Sequence, residues 1–250
     1  MIEIHNICKS FPDKTILKNI TTSFEKGKAN LIIGQSGSGK TVLMKCLLGL
    51  REVDSGDIIF DGRNFTKMSA KERKSIQQEI GTVFQGGALF DSKTIEQNVM
   101  LPLDFFSEIT TEEKIDRVNF CLHRVNLLNV NNLFPAELSG GMKKRVAIAR
   151  AIVLNPKYLF CDEPISGLDP KTAIVIDNLI SEITKEFNIT TIINTHDMNS
   201  VVEIGDKIIF IYNGELWWEG SNTDILKTDN KEINEFVYAT ELTRKLKSLK

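Results

Sequence analysis

"NLIIGQSGSGKT", residues 30 to 41, decides the fold. An apolar strand runs without a break into a loop that satisfies G-x-x-x-x-G-K-[ST], and a helix opens at its end. The chemistry needs that context. Gly34, Gly37 and Gly39 let the backbone N–H groups of a loop that also holds Gln35, Ser36 and Ser38 wrap phosphate oxygens. Lys40 is placed to reach the terminal phosphates, and the Thr41 hydroxyl to ligate magnesium. The stretch therefore reads as a cradle for a nucleotide's phosphates and Mg2+ within an α/β sheet.

Working outward, the chain before the cradle reads as short strands, "IEIHNICKSF" and "ITTSFE". After it come a helix from about 40 to 50, a strand "GDIIF", a turn at Asp61-Gly62, a polar helix near 69 to 78, and the strand "IGTVFQ" ending at Gln85. Between about 86 and 155 helical patterns dominate. There "TTEEKIDRVNFCLHRV" carries threonine caps and places Ile115, Val118 and Leu122 on one face. Strands return as "KYLFCDE", "ITTIINT" and "KIIFIY", with a helix from about Pro170 to Glu186 between the first two. Alternating strands and helices predict a mostly parallel sheet covered on both faces, with 86–155 as a helical insertion.

In such a sheet, ligands gather where strands end. Asp162 closes "YLFCD" and is the candidate magnesium carboxylate, and Glu163 next to it is placed to deprotonate the attacking water. Gln85, following "IGTVF", is a candidate for touching metal or water. His196, following "TTIINT", is a candidate for holding the terminal phosphate or supporting Glu163. A second anion site is built at "LSGGMKKRVAIARAI", residues 138 to 152, where Ser139, Gly140 and Gly141 open a basic helix with free N–H groups.

Composition is that of an ordinary globular protein: 250 residues, 42% apolar, 26% charged, net charge -2. Nothing there calls for nucleic acid or an anionic membrane surface. No apolar run approaches the ~20 residues of a spanning helix, and no signal-peptide pattern opens the chain, so service to a membrane is expected through a partner. The four cysteines stand apart without a C-x-x-C pair, which suits a reducing cytosol.

The ordered set "GQSGSGKT", Gln85, "LSGGM", "YLFCDEP", "SGLDP" and "NTHD" resembles the ATP-binding-cassette (ABC) ATPases over roughly residues 1 to 225. The resemblance implies a P-loop NTPase core with an N-terminal antiparallel β-subdomain and an inserted α-helical subdomain. It also implies a head-to-tail homodimer, in which Ser139, Gly140 and Gly141 close over ATP held by the partner's Lys40. Asp169 resembles the residue linking the two sites, and Phe11 the aromatic that stacks on adenine. Integral-membrane permease subunits follow as partners, which would hold the chain peripherally on the cytoplasmic side of the inner membrane. Ala88, Leu89 and Phe90 form an apolar knot where such a permease would dock.

The chain departs from many relatives at Met142, in place of Gln or Glu, and at Ile165, in place of Thr; neither removes a phosphate ligand. "FQGGALFD" with "ELSGGMKKR" is similar to the ATPases of Mla/Mce phospholipid transport, so bacterial phospholipid is the expected cargo. The alternatives are a non-transport ABC ATPase of the iron–sulfur assembly type, or the ATPase of an importer or lipoprotein-release system. The ATPase domain is expected over 1–228, with a C-terminal helical extension over 229–250. In that extension Ile233, Phe236, Leu242, Leu246 and Leu249 form a stripe that packs on this chain or its partner. Of the adjacent Trp217 and Trp218 on one strand, one is expected to face in and the other out.

Overall fold

The computed structural model of the chain describes residues 1–238. Its first sheet is antiparallel: β1 (Ile2–Phe11) pairs with β2 (Lys14–Phe24) on one side and with β4 (Ser55–Phe60) on the other, and β5 (Arg63–Asn64) extends β4. The alternation of buried residues along β1 changes phase, from Ile2 and Ile4 to Ile7. It changes again in β2, from Leu17 to Ile20. The reason is a pair of matched irregularities at Asn6 and Asn19, both at positive φ, which insert a residue and return the next apolar side chain to the core.

Between these strands lie β3 (Ala29–Ile33) and α1 (Lys40–Leu47). The helix was expected to reach Leu50 but stops earlier. Gly49 stands at φ 71, and a Cβ there would lie 2.6 Å from the Phe65 ring, so the chain turns against that ring. A short α2 (Ala70–Gln77) follows, closed at its start by the reciprocal Ser69–Glu72 capping box.

The second sheet runs β10-β9-β3-β8-β7-β6. It comprises β6 (Ile80–Val83), β7 (Tyr158–Asp162), β8 (Thr190–Asn194), β9 (Lys207–Tyr212) and β10 (Glu215–Gly220); all pairs are parallel except β9 with β10. Period-two alternation splits its side chains between two cores. Ile32, Tyr158, Phe160, Ile192, Ile209 and Ile211 join the antiparallel sheet and α1. Leu31, Ile33, Leu159, Cys161, Ile193, Ile208 and Phe210 join the helical side. Both faces are covered, as a parallel sheet requires.

No strand interrupts residues 84–157. There α3 (Ile95–Phe106), α4 (Thr111–Arg124) and α5 (Gly140–Ile152) pack on one another, and α5 packs on β6. In α4 the buried face carries Val118, Cys121 and Leu122, while Ile115 is half-buried. The long α6 (Pro170–Glu186) matches its expected bounds, and α7 (Met198–Ile204) packs beside it. After α8 (Asn222–Ile225), α9 (Lys231–Val237) buries Ile233 and Val237 in the helical-side core. The start of the extension is thus continuous with the domain core, while Leu242, Leu246 and Leu249 lie outside the described residues. Trp217 is exposed and donates to Glu232 at 3.1 Å; Trp218 packs on the core. The cysteines are free, three of them buried.

Candidate active site

Every residue singled out at a strand end sits at one rim, because β3, β8, β7 and β6 run parallel and end together. From β3 the chain enters the 34–41 loop with Gly34 at φ 148, Gly37 at φ 78 and Gly39 at φ 112. A Cβ on Gly34 would stand 2.3 Å from the Ile211 carbonyl, so only glycine passes there. Gly39 caps α1 without a side-chain bond, which leaves the first-turn N–H groups for an anion. The Lys40 ammonium folds back onto the loop, donating to the carbonyls of Gly34 at 2.8 Å and Gln35 at 3.0 Å. Burial pulls its pKa down while the Glu163 and Asp162 carboxylates oppose that shift.

Asn194 Nδ2 donates to Asp162 Oδ1 at 2.5 Å and lies 3.4 Å from Thr41 Oγ1, which draws two of the three expected magnesium ligands to one place. The residues fit a triphosphate with magnesium on two further grounds. Ser38 Oγ within the loop and Asn194 Oδ1 beside the carboxylate are both buried without a partner, an arrangement a fold keeps when a ligand supplies the missing bond. Thr41 and Asp162 supply the hard oxygen donors that magnesium takes.

Glu163 follows Asp162 at φ 48, a left-handed turn that swings its side chain out of the strand line. Its Oε1 lies 2.8 Å from His196 Nδ1. The imidazole is largely exposed, whereas the carboxylate is mostly covered. Of the two roles offered for His196, the structure shows contact with Glu163. Gln85 corrects an expectation: β6 ends at Val83, and the chain turns through Phe84–Gly87, closed by a Gly87 N–H to Phe84 carbonyl bond of 2.8 Å. The Gln85 amide accordingly meets Ser166 Oγ at 3.3 Å, and its bond is to neither Thr41 nor Asp162.

Ser139 caps α5, accepting from Met142 N–H at 3.3 Å, and Ser139 and Gly140 are exposed. Gly141 is buried: a Cβ there would lie 2.6 Å from Thr172 Cγ2. No hydrogen bond among the described residues joins Ser139, Gly140 or Gly141 to the 34–41 loop. Met142 packs against the helical-side core and Ile165 is buried, so both departures are apolar contacts rather than lost ligands. Asp169 caps α6, accepting from the Lys171 and Thr172 N–H groups and the Thr172 hydroxyl. Phe11 ends β1 half-exposed, with the Arg51 guanidinium 5.7 Å from its ring centroid.

Sequence reasoning missed Asn194 and Ser166. The signal for Asn194 was present, since it ends an apolar strand as Asp162 does. Asn98 was missed too: fully buried, it accepts from the Phe90 N–H and donates to the carbonyls of Phe90, Lys93 and Thr94, setting the shape of the 88–90 knot. Phe90 itself stays exposed.

The profile of the ABC transporter family matches residues 17–166, which hold the cradle, Gln85, the 138–142 loop and the Asp162–Glu163 pair. The chain belongs to the ABC transporter family. The cassette is 39% identical over 249 residues to the methionine import ATP-binding protein MetN of Carboxydothermus hydrogenoformans, covering 98% of this chain and 74% of that one. It is 35% identical to the protein of the same name from Campylobacter jejuni, over 95% of this chain and 75% of that one. Among solved structures, a dimeric bacterial ABC transporter cassette superposes with a TM-score of 0.81 at 32% identity, over 89% of this chain and 99% of that one. The same cassette is known in a post-hydrolysis state bound to ADP and Pi. CbiO1 of Clostridium perfringens, part of the ABC transporter complex CbiONQ, gives 0.85 at 29% identity, over 99% of this chain and 97% of that one. This cassette is the ATP-binding, ATP-hydrolysing subunit of an ABC transporter. No helix among its described residues is long and apolar enough to cross a membrane.

Proposed function

We propose that two copies of this cassette close head to tail over two ATP molecules and use their hydrolysis to drive a membrane permease. The carrying observation is the rim where the Asp162–Asn194–Thr41 line stands beside Glu163 and His196. Gly34 to Thr41 hold the phosphates, and Phe11 meets the base. Magnesium, held by Thr41 and Asp162 with Gln85 nearby, would neutralise charge on the phosphate oxygens. Glu163 takes a proton from the water whose oxygen attacks the terminal phosphorus; the bond to the leaving ADP oxygen breaks, and phosphate departs. His196 orients the Glu163 carboxylate. Ser139 and Gly140 stand exposed, and neither they nor the buried Gly141 bond to their own cradle, which supports donation from this loop to the partner's ATP, with Asp169 beside the seam. Glu163→Gln should keep ATP binding and accumulate closed dimers while turnover falls by about two or more orders of magnitude. Normal turnover in that variant removes Glu163 from its role.

The permease has an apolar place to dock. Leu50 and Phe84 are exposed beside a groove of about 230 Å³ that also takes in Leu48 and Ile80, and Phe90 stands at the far end of the same 84–90 loop. For the cargo, the relatives named above support an importer, the alternative to phospholipid transport, and do not support the phospholipid expectation. An amino acid such as methionine is the substrate class those names favour. Purifying the cassette with its permease from membranes and identifying the bound solute decides it: an amino acid upholds the importer, and phospholipid overturns it.

A further inference from the structure

Two cations on α5 reach the loop after β6. Arg150 donates to the carbonyls of Gly87 and Ala88, each at 2.7 Å. Lys144 is only 5% exposed, and its ammonium donates to the Gln85 carbonyl and lies 3.5 Å from the Glu163 carbonyl. From there a ring closes. The Gln85 amide meets Ser166 Oγ at 3.3 Å, and the Ser166 N–H donates to the Glu163 carbonyl at 3.2 Å. Lys144 forms no ion pair with a carboxylate among the described residues, and burial lowers its pKa. A buried ammonium held by carbonyls alone is costlier than an apolar side chain of the same length. Its retention calls for something that the ammonium holds in place.

We propose that Lys144 is a positioning residue for hydrolysis, holding the backbones of Gln85 and Glu163 so that the Glu163 carboxylate meets His196 and the Gln85 amide meets Ser166. It acts within its own chain. Ser139, at the start of the same helix, faces the other copy's nucleotide in the reading above, so α5 would join one site's donors to the other site's base. This rests on Glu163 being the base.

The test uses the full chain assayed with ATP and magnesium. Lys144→Met should lower kcat about tenfold while KM for ATP shifts less than about twofold, and Lys144→Arg should recover most of kcat. A folded Lys144→Met with unchanged kcat overturns the proposal, as does a parallel loss of kcat and ATP affinity or a failure of Lys144→Arg to rescue. Should Lys144→Met not fold, Ser166→Ala opens the ring from its outer side: kcat should fall with KM unchanged, and an unchanged kcat overturns the proposal. Glu163→Gln run in parallel separates the two ideas. If it turns over normally, the hydrolysis reading fails; if it is dead while Lys144→Met is normal, only the positioning role fails.

Discussion

Asp177 on α6 lies 4% exposed, with one carboxylate oxygen accepting from Ser200 Oγ at 2.6 Å and the other without a partner. Burial pushes its pKa up to about 6, helped by the negative charges of Asp197 and Glu203 and opposed by the Ser200 bond. A raised carboxyl pKa means that the folded chain holds this proton more tightly than the unfolded chain does. The resulting stability is fully present below the unfolded value of 3.8 and is lost as pH rises through about 6. An amide of the same shape stays neutral throughout. Asp177→Asn should therefore raise the melting temperature at about pH 7.5, and the gain should shrink toward zero near about pH 4. Thermal unfolding across that range checks it; a gain that ignores pH would show that ionisation is not the cause. At this scale the motif residues were legible, because Lys40, Asp162 and Glu163 each need a particular chemistry at a particular place. Asp177 was not, since nothing in "IVIDNLI" tells which residue burial will strand.

Among elements, the junction of α5 with α6 depends on Gly141. Its Cα faces Thr172 so closely that an added methyl group would lie 2.6 Å from Cγ2, while the Thr172 hydroxyl stays bound to Asp169 at 2.5 Å. Gly141→Ala should cost about 1–3 kcal/mol by overpacking, more than the helix propensity alanine gains. Thr172→Ser removes the offending methyl and keeps the hydroxyl, so adding it should recover most of the loss. Denaturant unfolding of the two single variants and the double variant measures this coupling. Strictly additive effects would place the strain elsewhere. The helix bounds were readable wherever a cap and a stop signal coincide, as in α6, with Asp169 and Pro170 at its start. They were misread where a tertiary contact intervenes: α1 stops at Leu47, where Gly49 turns the chain against the Phe65 ring, and β6 ends before Gln85 because its loop is held by α5.

For the whole molecule, one copy presents a cradle and, elsewhere, a 139–141 loop that no hydrogen bond among the described residues joins to it. In the proposed head-to-tail pair, both sites would be completed at once. Mixing inactive Lys40→Ala with inactive Ser139→Arg chains should restore part of the ATPase activity. A mixed dimer can contain one intact cradle facing one intact 139–141 loop. The steady-state rate of the mixture against each variant alone decides the matter, and a mixture no better than its parts would place each complete site within one chain.

The spacing of "GQSGSGKT" and the strands that alternate with helices around it settled the cradle and the α/β core by themselves. A phosphate site needs glycine, lysine and threonine at those offsets, and apolar periodicity reports the nearest neighbours along a chain. Which groups meet across the sheet was a matter for the tertiary structure. Asn194 lies on one strand and Asp162 on the next; Lys144 comes from a helix 59 residues beyond the Gln85 carbonyl it holds. Such contacts depend on strand order and helix placement, which packing of the two cores selects and which no local pattern encodes.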